Sequence, residues 1–452
     1  MKVLLIRPHA PNKLNFTKIL DNEPLELEYL HTALKAKGIE DYIYDGLIEE
    51  TTVKDTIIRE KPDVVAITGY ITQQNLMIKF CSISKEINPS IKTIVGGVHA
   101  QRNFEVFFND SIDYVYRSES VDDFAKLILI IKEGNEKVEK LKIINGLCFK
   151  EQGKYIKNQL TPIDINELPI PDREHFYKNK SKFRYLDLTE VATIKTAFSC
   201  PYSCNFCYCT LLNGGKYQAR DLNLVMEELK NLDCQNVQIA DDDFLIDKDR
   251  LWEFIRLIKE NNIQKTFICY SRADFVCENE DIIKALADIG FKYFLVGLEA
   301  VDDSELKGFN KQTSVDMNER CVKIINSTSS KCIALMIVPI DADKKYFDNL
   351  YRWVKKVNVK YVTVSIFTPI PGTPLFDQYK DKITSEDPED WDFLHLVLEP
   401  TKLSRQSFYR EYNKLFMRLY KIAKKTGIYD FMDLKYYKNM LTDYLKRRMR
   451  GD

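Results

Sequence analysis

The chain has no run of 18 continuous apolar residues among its 452, so no transmembrane helix is expected. Its opening, Met1-Lys2-Val3-Leu4-Leu5-Ile6-Arg7-Pro8, turns polar too soon for a secretion signal. Net charge is nearly absent: a formal −1, with 29% charged residues, sets up no global field for DNA or RNA. The basic tail Lys446-Arg447-Arg448-Met449-Arg450 follows the helix-like Met440 to Leu445 and reads as a solvated helix end. Disulfides are not expected without a secretion signal, and the chain is expected to be cytoplasmic. Of its 11 cysteines, Cys81, Cys148, Cys234, Cys269, Cys277, Cys321 and Cys332 are scattered, mostly beside apolar residues, as ordinary buried or half-buried thiols. A chain of 452 residues is too long for one compact core and implies two or three domains.

The remaining cysteines are concentrated. Cys200, Cys204 and Cys207 form a C-x3-C-x2-C cluster directly after the strand-like Val191 to Ile194. Three thiolates on a loop leaving a strand suit a [4Fe–4S] cluster with one iron left open for a substrate or cofactor. Zinc generally takes four protein ligands and more often shows paired C-x2-C spacing. Cys209 as a fourth ligand would crowd four cysteines into ten residues.

Upstream, strand-like and helix-like pieces alternate. Lys2 to Arg7, Asp41 to Tyr44, Asp63 to Thr68, Thr93 to Val95 and Ile112 to Tyr116 read as strands; Glu26 to Lys37 and Gln74 to Ile87 read as helices. Glycines at strand ends, notably Gly96 and Gly97, add to the pattern of a doubly wound parallel sheet over residues 1–150. Ile143 to Phe149 reads as one strand of a small hairpin. Pro169 and Pro171 mark an extended connector over 151–189. The alternation then resumes with strands at Val191 to Ala197, Asn236 to Ile239, Thr266 to Tyr270, Tyr293 to Val296, Ile333 to Val338 and Tyr361 to Phe367. Five helical patterns separate them, which gives a partial (β/α)6 barrel over 190–385. A mostly helical C-terminal region, 386–452, carries Ser407 to Thr426 and Met432 to Arg450; Trp391, Phe393 and His395 are expected to cover the mouth of the barrel.

The cysteine spacing resembles the signature of the radical S-adenosylmethionine (SAM) superfamily, and the first 150 residues resemble the cobalamin-binding domain of one large subgroup. The pieces that match are the first strand, Pro24-Leu25 before Tyr29-Leu30 and Ala33, the acid after the second strand, and Gly96-Gly97-Val98-His99-Ala100. In the barrel, Asp241-Asp242-Asp243, Ser271-Arg272-Ala273-Asp274, Gly297-Leu298-Glu299 and Thr368-Pro369-Ile370-Pro371-Gly372-Thr373-Pro374-Leu375 fall where the family has like elements. The chain departs from the family at Arg117-Ser118-Glu119-Ser120, where glycines are usual, and at Glu26, often glycine; generic nucleotide binding competes for the first domain. It also lacks an Asp-x-His-x-x-Gly motif, so no histidine is expected beneath cobalt.

The resemblance implies three cofactors: a [4Fe–4S] cluster on Cys200, Cys204 and Cys207, SAM on its open iron, and cobalamin. Gly96 and Gly97 would let backbone approach the corrin; His99 would touch it, or act as a turn histidine bonded to backbone. Tyr208 would lie against adenine or fill core. Burying three adjacent acids is costly, so at least one should face solvent, with Asp242 or Asp243 pointing inward. Arg272 would meet the methionine carboxylate or form a surface ion pair. Gly297 would let backbone approach the cofactor and Glu299 would accept from ribose or ammonium. Lys307 and Thr313 fit the family spacing without a defined role, and Glu227 and Glu228 are expected to be partly exposed.

The implied function is a methyltransferase, moving methyl from methylcobalamin to an unactivated centre after a 5′-deoxyadenosyl radical removes hydrogen. Cobalamin-dependent cyclisation, oxygenation or rearrangement stands beside it, as does a radical SAM enzyme that does not use cobalamin. The expected partners are a small-molecule or peptide substrate and an external one-electron reductant such as flavodoxin or ferredoxin. Neither a nucleic acid nor a membrane is expected.

Overall fold

The computed structural model describes residues 1–9 and 20–430. The helix expected over Met432 to Arg450 and the basic tail lie outside the described residues.

Strand β1 (Lys2–Arg7) leads to helix α1 (Leu25–Ala36), β2 (Glu40–Asp45), α2 (Val53–Glu60), β3 (Val64–Ile67), α3 (Gln74–Ile87) and β4 (Lys92–Val95). Then come α4 (Gly97–Asn103), β5 (Tyr114–Tyr116), α5 (Val121–Lys132) and a hairpin of β6 (Leu147–Glu151) and β7 (Lys154–Lys157). The sheet order is β2-β1-β3-β4-β5-β6-β7; the first five strands are parallel and the hairpin is antiparallel. The sheet therefore runs past residue 150, because the second hairpin arm pairs on its edge. Near-continuous apolar runs such as Val64 to Ile67 follow from burial on both faces. Leu5, Leu34, Phe124 and Ile128 fill one face; Leu4, Ile6, Met77 and Phe107 fill the other. The chain reverses direction between β1 and β3, so the ligand crevice of this sheet lies at their carboxyl ends.

The second unit has strands β8 (Val191–Ile194), β9 (Asn236–Ile239), β10 (Thr266–Arg272), β11 (Phe291–Glu299), β12 (Lys331–Val338) and β13 (Tyr361–Ile366). They pair in sequence order, all parallel, and among the described residues no pairing closes β13 onto β8. The period-two alternation sends Ala192, Val237, Phe267 and Phe294 to the helices and Val191, Ile268, Tyr293 and Ile333 to the lumen. Ala423 and Ile428 join the luminal set and close the barrel floor. The helices between strands include α6 (Leu222–Asn231), α7 (Lys248–Glu260), α8 (Glu280–Asp288), α9 (Val315–Asn326) and α10 (Lys344–Val357). The last described helix, α11 (Arg405–Lys424), packs against α10 and β13 and ends at the barrel floor with Ala423. Its Tyr412 hydroxyl donates to Val364 O at 2.6 Å on β13, and Arg418 pairs with Asp348 of α10 at 2.7 Å.

A buried ionic cluster joins the two units. Arg173, from the connector, donates to Glu23 before α1, to Thr193 O of β8 at 2.8 Å and to Glu228 Oε1 of α6 at 2.6 Å. Arg220 Nη1 reaches Glu228 Oε2 at 2.5 Å, and Glu28 Oε1 accepts from Phe176 N at 3.0 Å. Glu227 is exposed, but Glu228 is buried, which corrects the expectation of partial exposure: two guanidinium groups neutralise it inside.

Candidate active site

The cysteine loop leaves β8 through Lys195 and Thr196. Asp241, just past β9, fixes that exit: its Oδ1 accepts from Thr196 N at 2.7 Å and Ala197 N at 2.9 Å, and its other oxygen from the Thr196 hydroxyl. Ser199 takes a left-handed φ of 62° and donates through Oγ to Cys209 O at 2.9 Å. The loop is then pinned from outside, with Asn205 N on Phe309 O at 3.0 Å and Leu375 N on Asn205 O at 3.1 Å. Leu375 belongs to the proline-rich motif after β13, so that motif braces the cysteine loop.

Cys200, Cys204 and Cys207 are half-buried free thiols, and burial pushes Cys200 up to about 12. Among the described residues, the only three ligand-type groups within 4.8 Å of one another are His31, Asp172 and Glu174. The three cysteine sulfurs are therefore spread more widely than thiolates on a single zinc, which at about 2.3 Å bonds lie about 3.8 Å apart. Cys209, whose thiol hydrogen-bonds Cys207, stands beside this set.

Positive charge flanks the loop. Arg272 is buried, not a surface pair: Nη2 donates to Asp274 Oδ2 and to Lys311 O, both at 2.6 Å, while Nη1 lies 3.5 Å from Cys204 Sγ. Its guanidinium also stacks 3.8 Å from the Tyr202 ring centroid. Lys311 pairs with Glu299 Oε1 at 2.8 Å, both buried. Sequence reasoning passed over Lys311 in favour of Lys307 and Thr313; a single lysine carries no local signal of burial. The pair also revises the reason for Gly297. A Cβ there would stand 2.4 Å from Glu299 Oε1 and 2.7 Å from Lys311 Nζ, so the missing side chain makes room for the ion pair.

Asp241 and Asp243 are buried and Asp242 is half-buried, so none of the three acids is fully exposed. Asp242 Oδ2 and Asp243 Oδ2 are buried without a hydrogen-bond partner. The Asp242 charge acts on Cys207 and Cys200, while burial pushes the Asp243 carboxyl up to about 8. Two unpartnered acceptor oxygens beside the cysteine loop match the ammonium and hydroxyl donors of SAM, so the residues present fit that group.

At the crevice of the first sheet, Gly97 has φ +87° and a Cβ on it would meet Thr68 Oγ1 at 2.4 Å and Gly69 N at 2.8 Å. Gly97→Ala is expected to lower stability by about 1–3 kcal/mol, read by thermal unfolding, since both the dihedral and the contact oppose it. Gly96 caps α4 in an extended conformation. The loop Arg117 to Ser120 contains no positive φ, which is why it tolerates serine where glycine is usual. Ser120 instead caps α5 by accepting from Asp123 N at 3.2 Å. His99 is bonded to side chains rather than backbone: Nε2 to Gln74 Oε1 at 2.8 Å and Nδ1 to Asn103 Nδ2 at 3.3 Å. With both ring nitrogens engaged and burial lowering it to about 4, it is a neutral wall residue. The acid that ends β2, Asp45, binds Arg7 through two bonds of 2.9 and 2.5 Å. Burial opposes its charge, but Arg7 and His175 outweigh burial and hold it near 2, below the usual 3.8. This group's contribution to stability is present above pH 3.8 and is lost as pH falls toward 2; an Asp45→Asn variant should lack that component in acid unfolding.

The two units face each other across a cavity of about 440 Å³. Tyr70 to Gln73, Val98 and His99 come from the sheet crevice, while Tyr208, Pro371 and the stretch Trp391 to Leu394 come from the barrel side. Trp391 and Phe393 both line this cavity, with Trp391 Nε1 anchored on Pro369 O at 2.9 Å. His395 instead turns to Asp392 at 2.8 Å and does not line the cavity. Val98 and His99, just past Gly96 and Gly97, line it, and Tyr208 is on its barrel wall, one residue past Cys207. The aromatic and aliphatic walls and the strand-end loops offer a corrin a face, with the imidazoles of His9 and His99 among the lining.

Comparison with known proteins agrees with this geometry. Residues 194–354 match the Radical SAM superfamily and residues 18–128 match the B12 binding domain. The chain is 26% identical over 431 residues to hopanoid C-3 methylase of Methylococcus capsulatus, covering 93% of this chain and 80% of that one. It is 24% identical to the anaerobic magnesium-protoporphyrin IX monomethyl ester cyclase of Rubrivivax gelatinosus, covering 92% and 79%. Its fold superposes on the cobalamin-dependent SAM radical enzyme OxsB, with aqua-cobalamin and SAM bound, at a TM-score of 0.72 and 15% identity, over 100% of this chain and 75% of that one. A B12-binding sheet ahead of a radical SAM barrel, with a shared cavity between them, places the chain in the cobalamin-dependent radical SAM enzyme family.

Proposed function

We propose that this enzyme transfers a methyl group from SAM, by way of cobalamin, to an unactivated carbon of a small-molecule or peptide substrate. The observation that carries the reading is the single cavity on which both cofactor-type walls open, with Tyr208 of the cysteine loop opposite Tyr70 and His99 of the B12-binding sheet. When bound, the cluster supplies an electron to SAM and cobalamin carries the methyl group. Cys200, Cys204 and Cys207 hold the cluster; Asp242 and Asp243 accept from SAM; Arg272 and Lys311 place positive charge beside the cluster thiolates. Gly96, Gly97 and His99 shape the corrin wall, and Tyr208 separates it from the adenine side. Gly297 and Glu299 act through Lys311. Trp391 and Phe393 screen the cavity from bulk water, as radical chemistry requires. The reaction draws its electron from an external low-potential donor of the flavodoxin or ferredoxin class, in the cytoplasm, and engages no nucleic acid.

The relative named a cyclase, aligned over 92% of this chain, supports a second reading in which the radical leads to ring closure without methyl transfer. The two separate in an anaerobic incubation of cobalamin-loaded protein with reductant and methyl-labelled SAM. Methyl transfer predicts S-adenosylhomocysteine in proportion to bound corrin. Release of 5′-deoxyadenosine with no S-adenosylhomocysteine would favour the cyclase-type reading.

A further inference from the structure

The interdomain cavity holds one charge that nothing in the protein answers. Arg102, in the last turn of α4, lines the cavity beside Asn103 and His99. Among the described residues its guanidinium makes no hydrogen bond and no ion pair. Its electrostatic neighbour is another cation, Arg117, which spends its donors on Gly146 O and Asn158 O, both at 3.1 Å, and stacks 4.3 Å from the Phe104 ring centroid. The nearby carboxylates are occupied: Glu105 by Lys157, and Glu119 by Gln101 Nε2 at 2.8 Å. On the far wall, Asp392 pairs with His395, and Glu389 accepts from Asn75 at 3.3 Å.

Arg102 is exposed overall, yet partial burial of its guanidinium and the neighbouring Arg117 both act to lower its pKa. The barrel approaches it on one side. Gly372, at φ +89°, is the glycine of the proline-rich motif, and a Cβ on it would stand 3.4 Å from Arg102 Nη2. The guanidinium thus stands exposed at the rim of a cavity lined mainly by aromatic and aliphatic groups, with its donors unspent on protein. A fork of N–H donors in that state matches the oxygens of a planar or tetrahedral anion.

We propose that Arg102 is an anion subsite of the interdomain cavity, receiving a phosphate or carboxylate group of the bound ligand. The anion has two possible carriers of the same chemistry: the phosphodiester of cobalamin's nucleotide tail, and an acidic group on the substrate. The inference rests on the reading of this cavity as the cobalamin face.

The test compares the full-length, iron-loaded wild type with Arg102→Met and Arg102→Lys, by equilibrium binding of cobalamin, of cobinamide (which lacks the phosphodiester tail) and of inorganic pyrophosphate. Iron content serves as the fold control. If the tail is the carrier, Arg102→Met weakens cobalamin by about 10- to 100-fold and leaves cobinamide unchanged, with partial recovery in Arg102→Lys. If the substrate is the carrier, both corrins bind as before, and pyrophosphate binding seen in the wild type disappears in Arg102→Met. Equal weakening of both corrins, or no change in corrin binding together with no pyrophosphate binding to the wild type, overturns the proposal. Failure of the wild type to bind any corrin defeats the cobalamin reading instead, and the pyrophosphate arm then decides Arg102 alone.

Discussion

Cys204→Ala yields a folded protein that loses its complete cluster and forms 5′-deoxyadenosine at least about 100-fold more slowly. The size follows from ligand logic: removing a group that merely supports a metal ligand costs about 10–100-fold, and Cys204 is itself a ligand in this account. Its thiol is half-buried and faces Arg272 Nη1 at 3.5 Å, so little core packing is lost with it. Thermal unfolding of the apoprotein should move by no more than about 1 kcal/mol. Cys209→Ala is the informative companion. Cys209 adjoins Cys207 but lies outside the three-thiol signature, and its variant should keep the cluster. Equal iron loss from both variants would point to a four-cysteine site and contradict the open-iron geometry.

Arg173→Met should destabilise the protein by about 3–5 kcal/mol, the range for breaking a buried ion pair from one side. Arg173 holds Glu23, Glu228 and Thr193 O at once, and its removal leaves three buried carboxylates, Glu23, Glu28 and Glu228, with Arg220 alone. The cost arises from uncompensated charge more than from the lost contact. Because Glu23 precedes α1 and Glu28 lies within it, while Thr193 and Glu228 belong to the barrel, the loss should also loosen the domains. Urea unfolding of the iron-loaded protein reads the stability, and proteolysis of the connector reads the docking. The exposed pair of Arg256 with Glu253 and Glu260 provides the contrast: Arg256→Met should cost no more than about 1 kcal/mol. A change at Arg173 no larger than that would show that the cluster does not hold the units together.

What the sequence made legible was local. The cysteine triad, the strand at Lys2–Arg7, the helix at Gln74–Ile87 and the strand at Asn236–Ile239 stand where periodicity and spacing put them. Helix α5 escaped notice because Leu127, Ile128 and Ile130 are buried around most of its girth, which blurs a helical period. Helix α2 is short, with only Val53, Thr56 and Ile57 buried. The charged interior was illegible for another reason: Arg173 meets Glu23 across 150 residues and Glu228 across 55, and no local pattern records such pairings. The same holds for Lys311 beneath Glu299, and for the cavity that brings Arg102 against Gly372. Gly97 was legible as a required glycine, and the close contacts a side chain there would make are with Thr68 Oγ1 and Gly69 N.

The most direct measurement is quantitative iron, sulfide and corrin analysis of protein purified without oxygen and supplied with iron, sulfide and hydroxocobalamin. About four irons and one corrin per chain is the predicted result, with the iron lost in Cys204→Ala and the corrin retained. Four irons with no corrin under a large cobalamin excess would contradict the account, leaving a radical SAM enzyme whose first domain serves another ligand.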